Sequence, residues 1–101
     1  MTTFEAFNCL SITDIQRPQH AIASAVIEYA AEVVASDPTQ ALRILTLGSE
    51  LRSEAHEIDA GEAASEVMDR LLVAASVYQD DGEFAAMYRV RGEVDSILAG
   101  R

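Results

Sequence analysis

Apolar residues recur along this chain at helical spacing, and the runs are separated by short, strongly punctuated breaks. From Pro18 the run PQHAIASAVIEYAAEVVAS places Ile22, Val26, Ala30 and Val33 on one face, with Ala23, Ile27 and Val34 beside them. Glu28 and Glu32 fall opposite, so the pattern predicts a helix from Pro18 to about Ser36. Proline disfavours helix at the preceding Arg17, and its fixed φ suits a first helical turn. Asp37-Pro38-Thr39-Gln40 is the clearest boundary: Asp37 can cap, Pro38 fits the first position, and Gln40 can reach back to close a capping box. The helix that follows aligns Ile44, Leu47, Leu51, Ala55 and Ile58, with Gly48 inside the stripe. A helix-interior glycine costs about 1 kcal/mol relative to alanine. Its presence predicts a neighbouring helix crossing close at that point.

A third helix, from about Glu62 to Gln79, directs Ala64, Val67, Met68, Leu71, Ala75 and Tyr78 inward. Val73 and Val77 fall on its acidic side, so its second half is apolar almost all round. That predicts a central position or a cover, with the segment Phe4–Leu10 as the cover expected and an exposed partner-binding spot as the alternative. Asp80-Asp81-Gly82 ends this helix but lacks the ligand ladder of a calcium loop. The last helix, about Glu83 to Ala99, carries Phe84, Met87, Val90, Val94, Ile97 and Leu98 on a broad face. Arg91 sits within that face, four residues before Asp95, a spacing that allows the two to pair. The expected fold is all-α: a small bundle of about four helices, preceded by a short N-terminal helical segment over residues 3–9 and forming one domain over 1–101. LTLGSEL resembles the start of a tetratricopeptide unit, but the second-helix positions do not follow at the right spacing.

Composition narrows the function more than the fold. The 101 residues carry 17 acids against 7 bases, all of them arginine, for a formal net charge of −10. Neutralising phosphates requires a basic footprint, so this excess argues against direct nucleic-acid binding and toward a basic protein partner. No apolar run is long enough to span a membrane, and MTTFEAFNCLSITD lacks the basic start and apolar block of a signal peptide. A cytoplasmic location is expected. Cys9 stands alone among Phe4, Phe7, Leu10 and Ile12 and reads as a small buried hydrophobe.

Catalytic chemistry finds little support. His20 and His56 are the only histidines, and neither belongs to a Glu-x-x-His pair of the di-metal bundles. There is no glycine-rich phosphate loop and no serine elbow. The expectation is a non-enzymatic protein with no metal and no cofactor.

What remains is surface. The stretch ELRSEAHEIDAGEAASEVMD carries Glu50, Glu54, Glu57, Asp59, Glu62, Glu66 and Asp69 against a single Arg52. Glu50, Glu54 and Glu57 lie at i, i+4 and i+7 on one helix, and Glu62, Glu66 and Asp69 repeat that spacing on the next. Like charges at i,i+4 cost an isolated helix about 0.2–0.5 kcal/mol per pair, so local energetics do not account for them. Gly61 between the strips is the natural residue to end the first helix, and the short connection predicts antiparallel neighbours with one continuous acid ridge. A solvated, solubilising face is the simpler reading of the same residues. Tyr29, Tyr88, Arg89 and Arg91 are of the types enriched at interface centres. The partner-binding candidates are therefore Glu50, Glu54, Glu57, Asp59, Glu62, Glu66, Asp69, Tyr88, Arg89 and Arg91.

The N-terminal run TTFEAFNCLSITDIQRPQHAIASA, continuing into the helical body, resembles the small phage-encoded anti-CRISPR proteins, particularly those directed at type I-F effector complexes. That group shares neither one fold nor a signature, so the resemblance assigns no residue by position. It implies a non-enzymatic inhibitor acting in the bacterial cytoplasm. The inhibitor would bind the basic surface of a CRISPR-RNA-guided complex, with Cas7-like and Cas8-like subunits as the expected partners, and keep target DNA off it. Two alternatives stand beside it: a small helical homo-oligomer with a structural or regulatory role, and an acidic DNA mimic aimed at another nucleic-acid-binding protein.

Overall fold

The computed structural model describes residues 18–59 and 65–101, and only the backbone of Ile58, Asp59 and Gln79. Among these residues the fold is all-α: α1 (Pro18–Val33), α2 (Pro38–Asp59), α3 (Glu66–Ala75), a single turn α4 (Tyr78–Asp81) and α5 (Glu83–Ala99). The expected segment over residues 3–9, the cover Phe4–Leu10, Gly61 and Glu62 lie outside the described residues.

Local chemistry places the ends of these helices. Asp37 Oδ1 accepts the Gln40 backbone N–H at 3.1 Å, the cap read from the sequence. The reciprocal half of the capping box does not form. The Asp37 N–H donates to the Val33 carbonyl at 2.9 Å, and the Gln40 side chain turns forward to accept from Arg43 at 3.1 Å. The α1 helix stops at Val33, short of Ser36, because the Ser36 N–H and hydroxyl both donate to the Val33 carbonyl, at 3.0 and 3.1 Å. Serine side chains compete in this way with the helical ladder.

The third helix departs further from expectation. It is capped by Ser65, whose Oγ accepts the Met68 N–H at 3.0 Å, and it loosens at Ser76 and Val77 before α4 continues the path. There the Ser76 hydroxyl donates to the Val73 carbonyl at 2.6 Å, again in competition with the backbone. Gly82, at φ 89°, supplies the left-handed turn that reverses the chain into α5.

The central helix is α1. It packs against α2, α3 and α5, and its buried residues Ala21, Ile22, Ala23, Ala25, Val26 and Ala30 are spread around much of its circumference. Four of those six are alanines, so partner helices can approach from more than one side. Ile44, Leu47, Leu51 and Ala55 of α2, Met68, Leu71 and Ala75 of α3, and Ala86, Val90, Val94, Ile97 and Leu98 of α5 complete the core. On α5, Ala86 takes the buried position; Phe84, expected on the inner face, is 62% exposed.

The α1–α2 contact is the most extensive in the molecule. At its centre is Gly48, where a Cβ would stand 2.7 Å from Ile27 Cγ1 and 3.3 Å from the Ile27 backbone nitrogen. The close crossing predicted from the sequence is present. By contrast, α3 packs on α5 and α1 rather than alongside α2, so the antiparallel α2–α3 pair does not form. The Met68–Leu71–Ala75 stripe of α3 is taken up by the core rather than by α2, whose own stripe is already engaged with α1.

Gly48→Ala gains about 1 kcal/mol of helix propensity but must displace Ile27, and overpacking of this kind typically costs about 1–3 kcal/mol. The net expectation is a loss of up to about 2 kcal/mol, read as a lower urea midpoint at unchanged slope. Gly48→Leu should leave no cooperative transition.

Candidate functional site

Three surfaces gather the residues singled out from the sequence. The first is the corner where the end of α2 meets the start of α3. Ser65, besides capping α3, donates its hydroxyl to Glu54 Oε2 at 2.6 Å, and this bond fixes the corner. Glu54 is thereby half-buried and committed to structure. Glu50 is exposed and pairs with Arg101 at 3.5 Å. Glu57, Glu66 and Asp69 are exposed and have no cationic partner among the described residues. Glu66 and Asp69 occupy the first turn of α3, where the positive helix end favours them. Glu57 lies in the last turn of α2 and is opposed by that helix's negative end. The backbone of Asp59 closes α2, and Glu62 is outside the described residues. The end of α2 and the start of α3, which carry these acids, are joined at the Ser65–Glu54 bond, and the two helices do not pack side by side.

The second surface is a groove of about 640 Å³ between α3 and α5, lined by Glu66, Asp69, Arg70, Val73, Val77 and Arg89 among others. Arg70 bridges its walls, donating from Nε and Nη2 to Glu93 Oε2 at 3.1 and 2.8 Å. Val73 is 71% exposed in it, whereas Val77 is half-buried against the core. Arg89 is exposed, with no carboxylate partner among the described residues.

The third is a cluster between α1 and α5. Tyr29 donates its hydroxyl to both carboxylate oxygens of Asp95, at 2.9 and 3.1 Å. The Arg91 guanidinium lies over the Tyr29 ring, 5.0 Å from its centroid, and pairs with Glu32. Arg91 is thus engaged by Tyr29 and Glu32 of α1, while Asp95, four residues along its own helix, accepts from Tyr29. Burial pushes the Tyr29 phenol up to about 12, reinforced by its hydrogen bond to Asp95 and that residue's charge, with Arg91 opposing. Tyr88, one turn from both Phe84 and Arg91, is 73% exposed.

Two bonds that shape these surfaces were not foreseen from the sequence. One was that of Ser65, whose position before Glu66 in a helix-starting context was a usable signal. The other was the pairing of Tyr29 with Asp95, which joins residues 66 positions apart and has no local signature. The two histidine rings meet edge-on, with centroids 5.5 Å apart. Among the described residues no group of three or more His, Cys, Asp or Glu could hold a metal ion, and no helix is long and apolar enough to cross a membrane.

Comparison of the chain with known protein families, with curated proteins and with solved structures returns no match. The chemistry of these surfaces has to speak for itself.

Tyr29 gives a direct check on the cluster. Its raised folded-state pKa contributes stability that is complete below pH 10 and is lost as pH rises through about 12. In an ultraviolet titration one of the three tyrosines should ionise late, at about 12, and Asp95→Asn should bring that step to lower pH. Separately, Ser65→Ala removes a cap and should cost about 1 kcal/mol in chemical denaturation.

Proposed function

We propose that this protein is a non-enzymatic binding module whose acidic corner engages a basic protein surface that ordinarily holds nucleic acid. The observation that carries this reading is the division of labour among its carboxylates. Glu32, Glu50, Glu54, Glu93 and Asp95 are bonded within the fold, whereas the side chains of Glu57, Glu66 and Asp69 at one corner, like those of Asp80 and Asp81 in α4, are exposed and bonded to nothing among the described residues. Glu57 stands there against the dipole of its own helix. Solubility does not require an acid at that position, since any exposed site would serve it equally.

On the resemblance to anti-CRISPR proteins, the partner proposed is a type I effector complex and the outcome is loss of target-DNA binding. Charge complementarity of this kind speeds encounter and fixes orientation, with a few apolar or aromatic anchors prolonging residence. Arg89, exposed and lining the same groove as Glu66 and Asp69, is an anchor available beside the acids, and exposed Tyr88 is its neighbour in the chain.

The test is capture of the tagged protein from a bacterium with an active type I CRISPR system, with target-DNA binding assayed in the same lysate. Recovery of effector subunits with loss of DNA binding is expected; recovery of the bait alone with DNA still bound rejects the partner. Glu57→Arg combined with Glu66→Arg should slow association and flatten its dependence on salt. The Glu57→Arg change should also stabilise the fold slightly, by about 0.3–1 kcal/mol. Binding at the wild-type rate in this double variant would reject the corner as the contact.

A further inference from the structure

The groove between α3 and α5 is graded along its length. Glu66 and Asp69 stand at the α3 N-terminal end, and Val73, Ala74 and Val77 at the other. The Arg70–Glu93 bridge lies between them, neutralising its own span. Arg89 on the α5 wall adds a cation, unpaired among the described residues, that lines the same space as the valines. An exposed valine beside an unpaired guanidinium does nothing for the stability of this fold. Neither does the pair of unpaired acids at the other end, beyond the favourable term each has with the helix dipole.

We infer that this groove receives one short amphipathic helix of the basic partner, oriented by polarity: lysines or arginines over Glu66 and Asp69, large apolar residues on Val73 and Val77, and an acceptor facing Arg89. The inference rests on the proposed basic partner and adds the shape and direction of the element it presents. Charge complementarity selects the occupant. A second copy of this chain would bring another net charge of −10 to a face already rimmed by acids, whereas a basic helix is drawn in by it. The length fits as well, since α3 spans 10 residues, about three helical turns or roughly 15 Å. Helix-in-groove recognition reads residues at i, i+3, i+4 and i+7 along one face, and three turns supply them, basic toward one end and apolar toward the other.

The experiment uses the whole chain, isotope-labelled for heteronuclear NMR, and a synthetic helical peptide of about three turns, with leucines toward one end and lysines toward the other. The control is a scrambled peptide of the same composition. Amide shifts confined to residues 66–77 and 85–93, with the scrambled peptide binding about tenfold more weakly, are the expected result. Val73→Asn should weaken the ordered peptide about three- to tenfold while leaving the scrambled one unchanged; Val34→Asn, at an exposed valine elsewhere, should do neither. Equal binding of both peptides, or shifts spread evenly over the acids of α2, would mean unspecific attraction and overturn the inference. So would α3–α5 shifts that follow protein concentration alone, which indicate a second copy. Failure here is separable from failure of the functional proposal. If Val73→Asn still captures the effector from lysate at wild-type yield, the groove is excluded and the acidic corner stands. If the wild-type protein captures nothing yet the ordered peptide binds as expected, the partner is wrong and the groove stands.

Discussion

The absence of a side chain at Gly48 is the constraint from which the rest of the arrangement follows. With Ile27 where a Cβ would need to be, α1 and α2 come together more closely than side chains normally allow, and this brings Ile22, Val26, Ile44, Leu47 and Leu51 into full burial. Close approach here consumes one side of α1. The alanines at 21, 23, 25 and 30 then let α3 and α5 settle on other sides of the same helix, so that one slender element serves as the core for three neighbours. Bulkier residues in α1 would move those neighbours outward and open the corner at which Ser65 reaches Glu54.

Arginine ties this arrangement together at its edges. Arg43 of α2 donates to the Leu98 carbonyl near the end of α5, Arg70 of α3 to Glu93 of α5, and Arg91 of α5 pairs with Glu32 of α1. Arg101 returns to Glu50 of α2. Thus α5 or the residues just beyond it is joined by a guanidinium to each of the three longer helices before it. Individually, exposed pairs are worth about 0–1 kcal/mol, so these ties set register more than they supply stability. The planar guanidinium fork suits a carbonyl and a carboxylate equally well and is used here for both.

How much of this was legible in the sequence depends on the distance over which each feature is decided. The Asp37–Pro38 boundary, the span of α5 and the crossing at Gly48 were readable because a cap, a fixed φ and a missing side chain act within a few residues of themselves. The pairing of helices was not. An acid strip and a glycine suggested that α2 and α3 would lie side by side, yet α3 took its place on α5 and α1 because its apolar stripe found more to bury there. Arg91 shows the same limit at the scale of one side chain: spacing on its own helix favoured Asp95, and a tyrosine and a glutamate from α1 prevailed. Of the candidate site, the acids were visible as residues, but which of them the fold had already bonded was visible only in three dimensions.

The separation between bonded and unbonded carboxylates has a consequence for how this molecule can change over generations. The side chains of Glu57, Glu66 and Asp69, together with those of Val73, Tyr88 and Arg89, are exposed and make no hydrogen bond or ion pair among the described residues. Each can therefore be replaced without disturbing the Gly48 crossing or the arginine ties. A chain built in this way can change its outer faces at nearly constant stability. The alanine-filled interior of α1 is the part held still while the outer faces are rewritten.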